Sequence, residues 1–564
     1  MMNKKFKAFH NRRGTPIRAL RRPVKLKLLE KILCMCLVSI CLFSFGFLFV
    51  SIEVLEDERQ TGNDFRAQLN NADLKTKNVE HFNDADPKAN TLFVDRLSMS
   101  QTPALIGARK AKIKCDSNVD YLAYWNDPQG TQDINFKSPF LGDNSSGETK
   151  YLAFAPDIGG WNNVRMGLES ILVLAAATGR TLVLPPNKAI YLMNTVRGFG
   201  DFLTLHNPEF LKKVPIISTE EFIEREGKEN GRFPIPVELQ FKVNNAKKEC
   251  FPMKIADNSC FAVDEYFEKV GYEANITAER CFIFDEDIFK GSSPSDENQK
   301  KIENFCGEPT PFFLTQELQQ ETLIHIGCSV HSRLFGHFYG IMLFTDPVID
   351  NHYKRFVRDF LHYHDAVYCA AGKIVNTMQD MAKELAKEKG FLIDPGISGF
   401  STIHVRRGDF QFKEAVISGQ EWNDNLQDVW LDDEIVYIAT DEKNKRFFAP
   451  IAKNNHILMY LDDFWDIAGL GDLDPNCMGM IDTIVASRGR TFSGTWFSTF
   501  TGYINRLRGY HGISMKSSYY GYSERRNVSH TWKNGYISPG TYQYEWPTGW
   551  IGIDGDVVPN RDSF

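Results

Sequence analysis

Residues Tyr151 to Leu184 do most to set the class of fold. Tyr151-Leu-Ala-Phe154 is an apolar run of strand length, and Asp157-Ile-Gly-Gly160 follows as a tight loop. Asn163 to Ala177 then reads as a strongly apolar helix closed by Thr178-Gly-Arg180, and Thr181-Leu-Val-Leu184 is a second apolar run ended by Pro185-Pro186. Strand, glycine loop, helix and strand in that order form a βαβ unit, which predicts a parallel sheet covered by helices. The glycines do not spell Gly-x-Gly-x-x-Gly, so dinucleotide binding gains no direct support.

The second half repeats the alternation. Asp365 to Lys389 places Val367, Ala371, Ile374, Met378, Met381 and Leu385 at helical spacing, and Gly390 ends the run. Strands are predicted at Phe400–Val405, Ile435–Ala439, Ile457–Leu461 and Thr491–Ser493, with a helix over Met478–Ala486 and another opening at Ser498-Thr499. Residues 187–360 are irregular, cysteine-bearing and rich in Phe, and are assigned loosely to the first half. The Pro/Gly connector Asp394-Pro-Gly396 puts the boundary near 395.

The polar groups sit where strands stop, which is where ligands gather in α/β proteins. His404-Val-Arg-Arg-Gly-Asp409 runs an apolar strand into two arginines, and guanidinium forks fit phosphate oxygens. If the strand continues, Arg406 and Arg407 alternate faces: one enters the cleft while the other pairs with Asp409 or packs outward. Ser498 and Thr499 at a helix start offer hydroxyls and free N–H groups at the positive end of a dipole, a ready phosphate site, although an ordinary N-cap uses the same residues. Gly159 and Gly160 allow close backbone approach, and Asn162, Asn163 and Arg165 can reach a sugar or phosphate from the first half. Arg407-Gly-Asp409 also spells an integrin-binding tripeptide, but its place behind an apolar strand argues against exposure. Asp285-Glu-Asp287 and Asp472-Leu-Asp474 are carboxylate pairs of a kind that can hold a divalent cation. With arginines and a helix terminus already available to a diphosphate, no metal is expected.

Ahead of this body, Ile32 to Ile52 are 21 residues without a charge, enough to span a bilayer as a helix. Residues 1–31 hold eleven Lys/Arg and one Glu, a net +10, which leaves −17 for the rest of a chain whose net charge is −7. The positive-inside rule then puts the N-terminus in the cytosol and the body in the lumen, as a single-pass type II protein. An acidic body argues against nucleic acid as a partner. Eight cysteines lie in that body (115, 250, 260, 281, 306, 328, 369 and 477), consistent with up to four disulfides and with a stapled region between Cys250 and Cys328. Asn144, Asn275 and Asn527 begin glycosylation sequons.

The ordered set Gly159-Gly-Trp-Asn-Asn-Val-Arg165, Thr181–Pro186, His404–Asp409, Ile438-Ala-Thr-Asp441, Asp482 and Phe492–Phe500 resembles the GDP-fucose-dependent fucosyltransferase superfamily that includes protein O-fucosyltransferases and α-1,6-fucosyltransferases. The resemblance covers roughly 150 to 510. It implies an α/β fold of GT-B type with two facing Rossmann-like domains, GDP-fucose as donor, inversion at the sugar and no cofactor. It implies that Arg406 acts on the diphosphate and that Asn163 meets the sugar and acceptor. His404 and Asp482 would hold the guanosine, and Ser498 and Thr499 the phosphates. Gly159, Gly160, Asn162, Arg407, Asp409 and Asp441 complete the expected donor site. Some members carry a Glu base in the first glycine loop; here that loop offers only Asp157. The expected organisation is a basic tail (1–31), a transmembrane signal anchor (32–52), a stem (53–148), an acceptor-side domain (149–395) and a nucleotide-sugar domain (396–564). The expected setting is the Golgi or endoplasmic reticulum, with a protein or glycan acceptor. The competing readings are another GDP-sugar or a polysaccharide acceptor, or a non-catalytic glycan-binding protein. Aromatics at Tyr519–Tyr522 and Trp546–Trp550 can stack on sugars or pack a core.

Overall fold

The structure, a computed structural model, describes residues 107–142, 147–157, 159–193, 195–250, 259–274, 280–307, 310–327, 338–389, 399–453, 456–530, 545, 550 and 553–554. All of them belong to one compact unit, 91–564. The anchor expected at 32–52, the sequons at Asn144 and Asn275, and Cys328 lie outside the described residues. Among the described residues no helix is long and apolar enough to cross a membrane.

Among the described residues fifteen strands follow in chain order. In the first half they are β1 (Tyr151–Phe154), β2 (Thr181–Leu184), β3 (Lys188–Ala189), β4 (Val196–Arg197), β5 (Ile216–Ser218), β6 (Tyr272–Glu273), β7 (Arg280–Phe284), β8 (Thr310–Phe313), β9 (Leu323–Ile326) and β10 (Met342–Phe344). In the second half they are β11 (Phe400–Val405), β12 (Ile435–Thr440), β13 (Ile457–Met459), β14 (Phe492–Gly494) and β15 (Ser518–Tyr520). The first sheet has the order β5-β2-β1-β9-β6 and the last the order β13-β12-β11-β14-β15. Every pairing in both is parallel. Such strands are covered on both faces, which is why β1 and β11 are buried along their whole length and read as continuous apolar runs.

Six helices matter for the site: α1 (Trp161–Thr178), α2 (Ser259–Val270), α3 (Pro347–Phe360), α4 (Asp365–Lys389), α5 (Met478–Ser487) and α6 (Thr499–Tyr510). Gly179 ends α1 in the left-handed region, φ 67°, where glycine carries no Cβ penalty.

Three features depart from the sequence reading. Residues 107–142, expected in the stem, pack into the body: Ile113, Leu122, Tyr124 and Trp125 are buried in the main core. Cys115 is bonded to Cys369 on α4, and Asp133 is buried against Arg355 of α3 at 2.8 Å. These apolar residues are sparse and follow neither a helical nor a strand period, so their burial leaves no pattern. Residues 187–360 are not irregular throughout; they contain a third parallel sheet, β10-β7-β8, whose Phe282, Phe284 and Phe344 join the core. Third, α4 lies before the expected boundary, yet it packs on α5 of the second half.

Two further disulfides, Cys250–Cys260 and Cys281–Cys306, staple the first half, and Cys477 is free and buried. Tyr520 and Trp550 are core residues, not exposed platforms.

The two halves meet through a buried ion network. Arg165 and Glu169 on α1 pair with each other, Arg506 on α6 reaches Glu169 at 2.5 Å, and Glu545 pairs with both arginines. All four side chains are no more than 2 % exposed, and the Arg165 guanidinium lies 3.6 Å from the centre of the Tyr503 ring. Removing one partner leaves a buried charge uncompensated. Glu169→Ala is therefore expected to lower unfolding free energy by about 3–5 kcal/mol. Glu209→Ala, which breaks only the exposed pair with Lys212, should change it by less than about 1 kcal/mol. Urea denaturation of the two variants checks this.

Candidate active site

Followed along the chain, the last sheet runs outward from β11 to β12 and β13, then reverses to β14 and β15 on its other side. The crevice between the carboxyl ends of β11 and β14 is therefore a topological switch point, the place where open α/β sheets bind ligands. A cavity of about 860 Å³ opens there. It takes Gly159, Gly160, Asn162 and Asn163 from the first half, and His404, Arg406, Asp409, Asp441, Asp482, Ser498 and Thr499 from the second. Eleven of the twelve expected residues thus converge from five separate stretches of chain. A larger cavity of about 1510 Å³ lies at the opposite, amino-terminal end of the first sheet, beside Lys150 and Thr181. It contains none of the expected residues.

Arg407 is the exception. Its guanidinium lies 4.0 Å from the centre of the Phe447 ring and pairs at 3.3 Å with Glu442, which borders the cavity, while Arg407 itself does not line it. Alternation along the strand sends Arg406 inward and Arg407 outward, and it is Arg406 that pairs with Asp409.

Arg406 sits in a fixed frame. Its backbone N–H donates to Thr495 Oγ1 at 2.9 Å, and its guanidinium donates to both Asp441 and Asp409. Asp441 also accepts the Arg407 backbone N–H at 2.8 Å. Gly408 makes this frame possible: a Cβ there would lie 2.6 Å from Asp441 Oδ2 and 3.0 Å from Arg406 Nη1. Burial lowers the Arg406 pKa, but a guanidinium keeps its charge at any working pH.

Ser498 is the N-cap of α6, yet its side chain makes no capping bond. The first-turn N–H groups of a 12-residue helix thus face the cavity at the positive end of the dipole. The turn that delivers them holds Phe497 at φ +66°, a conformation bulky residues rarely adopt. Gly494, just before it, has no room for a side chain, since a Cβ would meet Thr501 Cγ2 at 2.2 Å.

His404 shares Nδ1 with Thr501 Oγ1 at 2.8 Å and stacks on Phe500. Burial first, and then the Arg406 charge, push its pKa down to about 3, so the ring is neutral throughout the physiological range. Asp482 accepts from the Tyr437 hydroxyl at 2.5 Å. Burial pushes its carboxyl up to about 7, with Asp462 adding to the shift and the Tyr437 bond opposing it. From the first half, a Cβ on Gly160 would meet nothing within 4 Å, so the loop borders open space. Asn162 accepts from Arg165 Nε at 3.4 Å, while Asn163 lines the cavity beside it. Asp157 turns back to accept the Gly159 N–H at 2.5 Å.

The carboxylate pairs have structural work. Asp285 caps a short helix through the Asp287 and Ile288 N–H groups and accepts from Asn298 and Thr345. Asp474 pairs with Arg197 of β4 at 2.7 Å. Thr495, Tyr437 and the aromatic wall of Phe410, Phe412 and Phe497 escape a reading of the sequence. Their parts depend on a backbone turn and on long-range packing that leave no local pattern.

A strand-end arginine and an open helix terminus in one cleft suit a substrate with a leaving diphosphate, and the protein is a glycosyltransferase. The chain belongs to the GDP-fucose protein O-fucosyltransferase family, whose model matches residues 151–511. Among solved structures, POFUT1 in complex with GDP-fucose is similar at 14 % identity, over 66 % of this chain and 98 % of that one, with a TM-score of 0.32. The fucosyltransferase NodZ from Bradyrhizobium is similar at 13 % identity, over 64 % of this chain and 93 % of that one, with a TM-score of 0.29. No curated protein matches the chain.

Two outcomes follow from this geometry. Gly408→Ala should force Asp441 and Arg406 apart and lower kcat/KM for GDP-fucose by about 10²-fold, the scale of a 1 Å misplacement, with the thermal midpoint little changed. Asp482 is ionised more easily unfolded than folded, so the stability tied to its proton is present below its unfolded pKa and lost as pH rises through about 7. Asp482→Asn should therefore raise Tm at pH 8, by an amount that shrinks toward pH 4, as calorimetric scans across that range would record.

Proposed function

We infer that this protein transfers fucose from GDP-fucose, with inversion, to a hydroxyl of a protein (Ser/Thr) or glycan acceptor in the secretory pathway. The observation that carries the reading is Arg406, fixed at a strand end and facing the same cavity as the open N-terminus of α6. Membership of a family described by GDP-fucose favours that donor here.

Departure of the nucleotide places negative charge on its diphosphate. Arg406 and the α6 amides are oriented toward that charge before it develops, and preorganised donors of this kind contribute about 10²–10³-fold each. Asp409 and Asp441 hold the guanidinium in place by accepting its hydrogen bonds, for which a bound diphosphate would compete, with the guanidinium charged throughout. Asp482 and neutral His404 supply acceptor and stacking surface for guanosine, and Asn163 supplies an amide for the sugar or acceptor. The acceptor hydroxyl attacks the sugar from the face opposite the diphosphate, so a β-linked donor gives an α product. No residue is assigned as base. The GT-B arrangement, the 32–52 anchor and a Golgi or endoplasmic reticulum setting complete the reading, and each rests on the sequence.

Arg406→Ala should reduce GDP-fucose turnover by at least about 10²-fold with an unchanged circular dichroism spectrum. Turnover like that of the wild type would sink the assignment. Chelator should leave activity intact; its loss would revive a metal-dependent mechanism.

A further inference from the structure

Two strained residues border the donor cavity, one from each half. Among the described residues, Leu192, Asp433 and Phe497 are the non-glycine residues at positive φ, and Leu192 and Phe497 both line this cavity. Phe497 belongs to the turn that opens α6. Leu192, at φ +68°, comes from the first half, in the turn of the β3–β4 hairpin. In that hairpin Lys188 is paired with Arg197 and Ala189 with Val196.

The Met193 N–H closes the turn on the Ile190 carbonyl at 2.9 Å. Ile190 is buried in the main core and Met193 packs against that core, so these two fix the turn. Tyr191 and Leu192 are left 52 % and 65 % exposed, and both line the donor cavity. Single exposed apolar side chains are common on any protein. A strained leucine beside an exposed tyrosine at the edge of a substrate cavity is a different case. Folding gains little from either side chain, and the fold offers nothing that offsets the backbone strain. A ligand that covered both would supply the missing contact.

The hairpin is held on two sides. Tyr191 forms a parallel bridge with Gly160, and the Lys188 ammonium donates to the carbonyls of Pro156 and Asp157 at 3.3 Å. These contacts tie it to the glycine loop of the first half. Its other leg reaches the second half. Arg197 Nε and Nη2 donate to Asp474 Oδ2 at 2.8 and 2.7 Å, and Asn476 Nδ2 donates to Thr195 Oγ1 at 2.9 Å. Asp474 Oδ1 accepts the Asn476 N–H at 2.9 Å, which fixes the carboxylate. Pro475 and Asn476 line the donor cavity. The hairpin therefore runs from the glycine loop to the turn before α5, along one edge of that cavity. Unlike the buried network of Arg165 and Arg506, the Arg197–Asp474 pair is partly exposed. Breaking it leaves no charge stranded out of water.

With the diphosphate on Arg406 and the α6 amides, the sugar of the donor falls toward Gly160 and Asn163, beside Tyr191. We propose that Tyr191 and Leu192 form an apolar lip over the sugar of the bound nucleotide sugar, and that Arg197 and Asp474 are positioning residues that hold the lip there. This rests on the donor reading above and extends it to the sugar end of the donor.

The test compares the affinities of the full-length protein for GDP and for GDP-fucose by titration calorimetry. Leu192→Gly disturbs the fold least, because glycine adopts positive φ freely. It and Tyr191→Ala should each weaken GDP-fucose binding by about tenfold, the scale of one lost apolar contact, with GDP affinity within about twofold of the wild type. Arg197→Ala and Asp474→Ala should each shift the same GDP-fucose-to-GDP ratio by about threefold or more. Their double variant should be no worse than either alone, since both remove one contact. Unchanged GDP-fucose affinity in Leu192→Gly and Tyr191→Ala, or equal weakening of GDP and GDP-fucose, would overturn the lip. An unchanged ratio in Arg197→Ala and Asp474→Ala, or additive losses in the double variant, would overturn the positioning role. Failure of the wild type to bind GDP would instead count against the donor reading.

Discussion

The buried network of Arg165, Glu169, Arg506 and Glu545 is the constraint on which the site depends. It joins α1 to α6, and the N-termini of both helices open on the same cavity. A shift of one helix against the other would carry Gly160 and Asn163 away from Ser498 and Thr499. Four charges taken out of water are costly unless each is paired and hydrogen-bonded, and well-packed apolar residues often serve stability as well. What the ions add is position: their geometry fixes one relation between the helices, where an apolar contact allows several.

Within that frame each half supplies what a switch point can supply. The second half contributes a strand-end arginine, a neutral buried histidine and a helix terminus without a side-chain cap. The first half contributes a glycine loop bordering open space and two asparagines. The cost is visible in local details: Phe497 in a left-handed turn, Gly408 and Gly494 where no side chain fits, and Asp482 kept partly protonated by burial. Such departures from local preference gather at functional sites because the surrounding fold holds them there.

How much of this is legible in the sequence differs from element to element. Tyr151–Phe154, Asp365–Lys389 and Phe400–Val405 are plain because a fully buried parallel strand reads as an apolar run and a long amphipathic helix repeats its period. The opposite facings of Arg406 and Arg407 follow from strand alternation. The sequence reading places Arg407 in the donor site and the structure does not, because nothing local announces Phe447 as its partner. Ile113, Leu122 and Trp125 read as stem since their burial depends on α3 and α4, more than two hundred residues away. The sheet β10-β7-β8 is hidden for a similar reason: its strands are short and separated by irregular chain. Tyr437 and Thr495 are invisible because each acts by holding another residue in place.

The proposed function requires the cavity at the β11–β14 switch point to bind GDP-fucose. Isothermal titration of the full-length protein with GDP-fucose, GDP-mannose and UDP-sugars tests it most directly. Saturable binding of GDP-fucose and of GDP is expected, with weaker binding of GDP-mannose and none of the UDP-sugars. Absence of GDP binding at millimolar concentration, or equal binding of UDP-sugars, would contradict it.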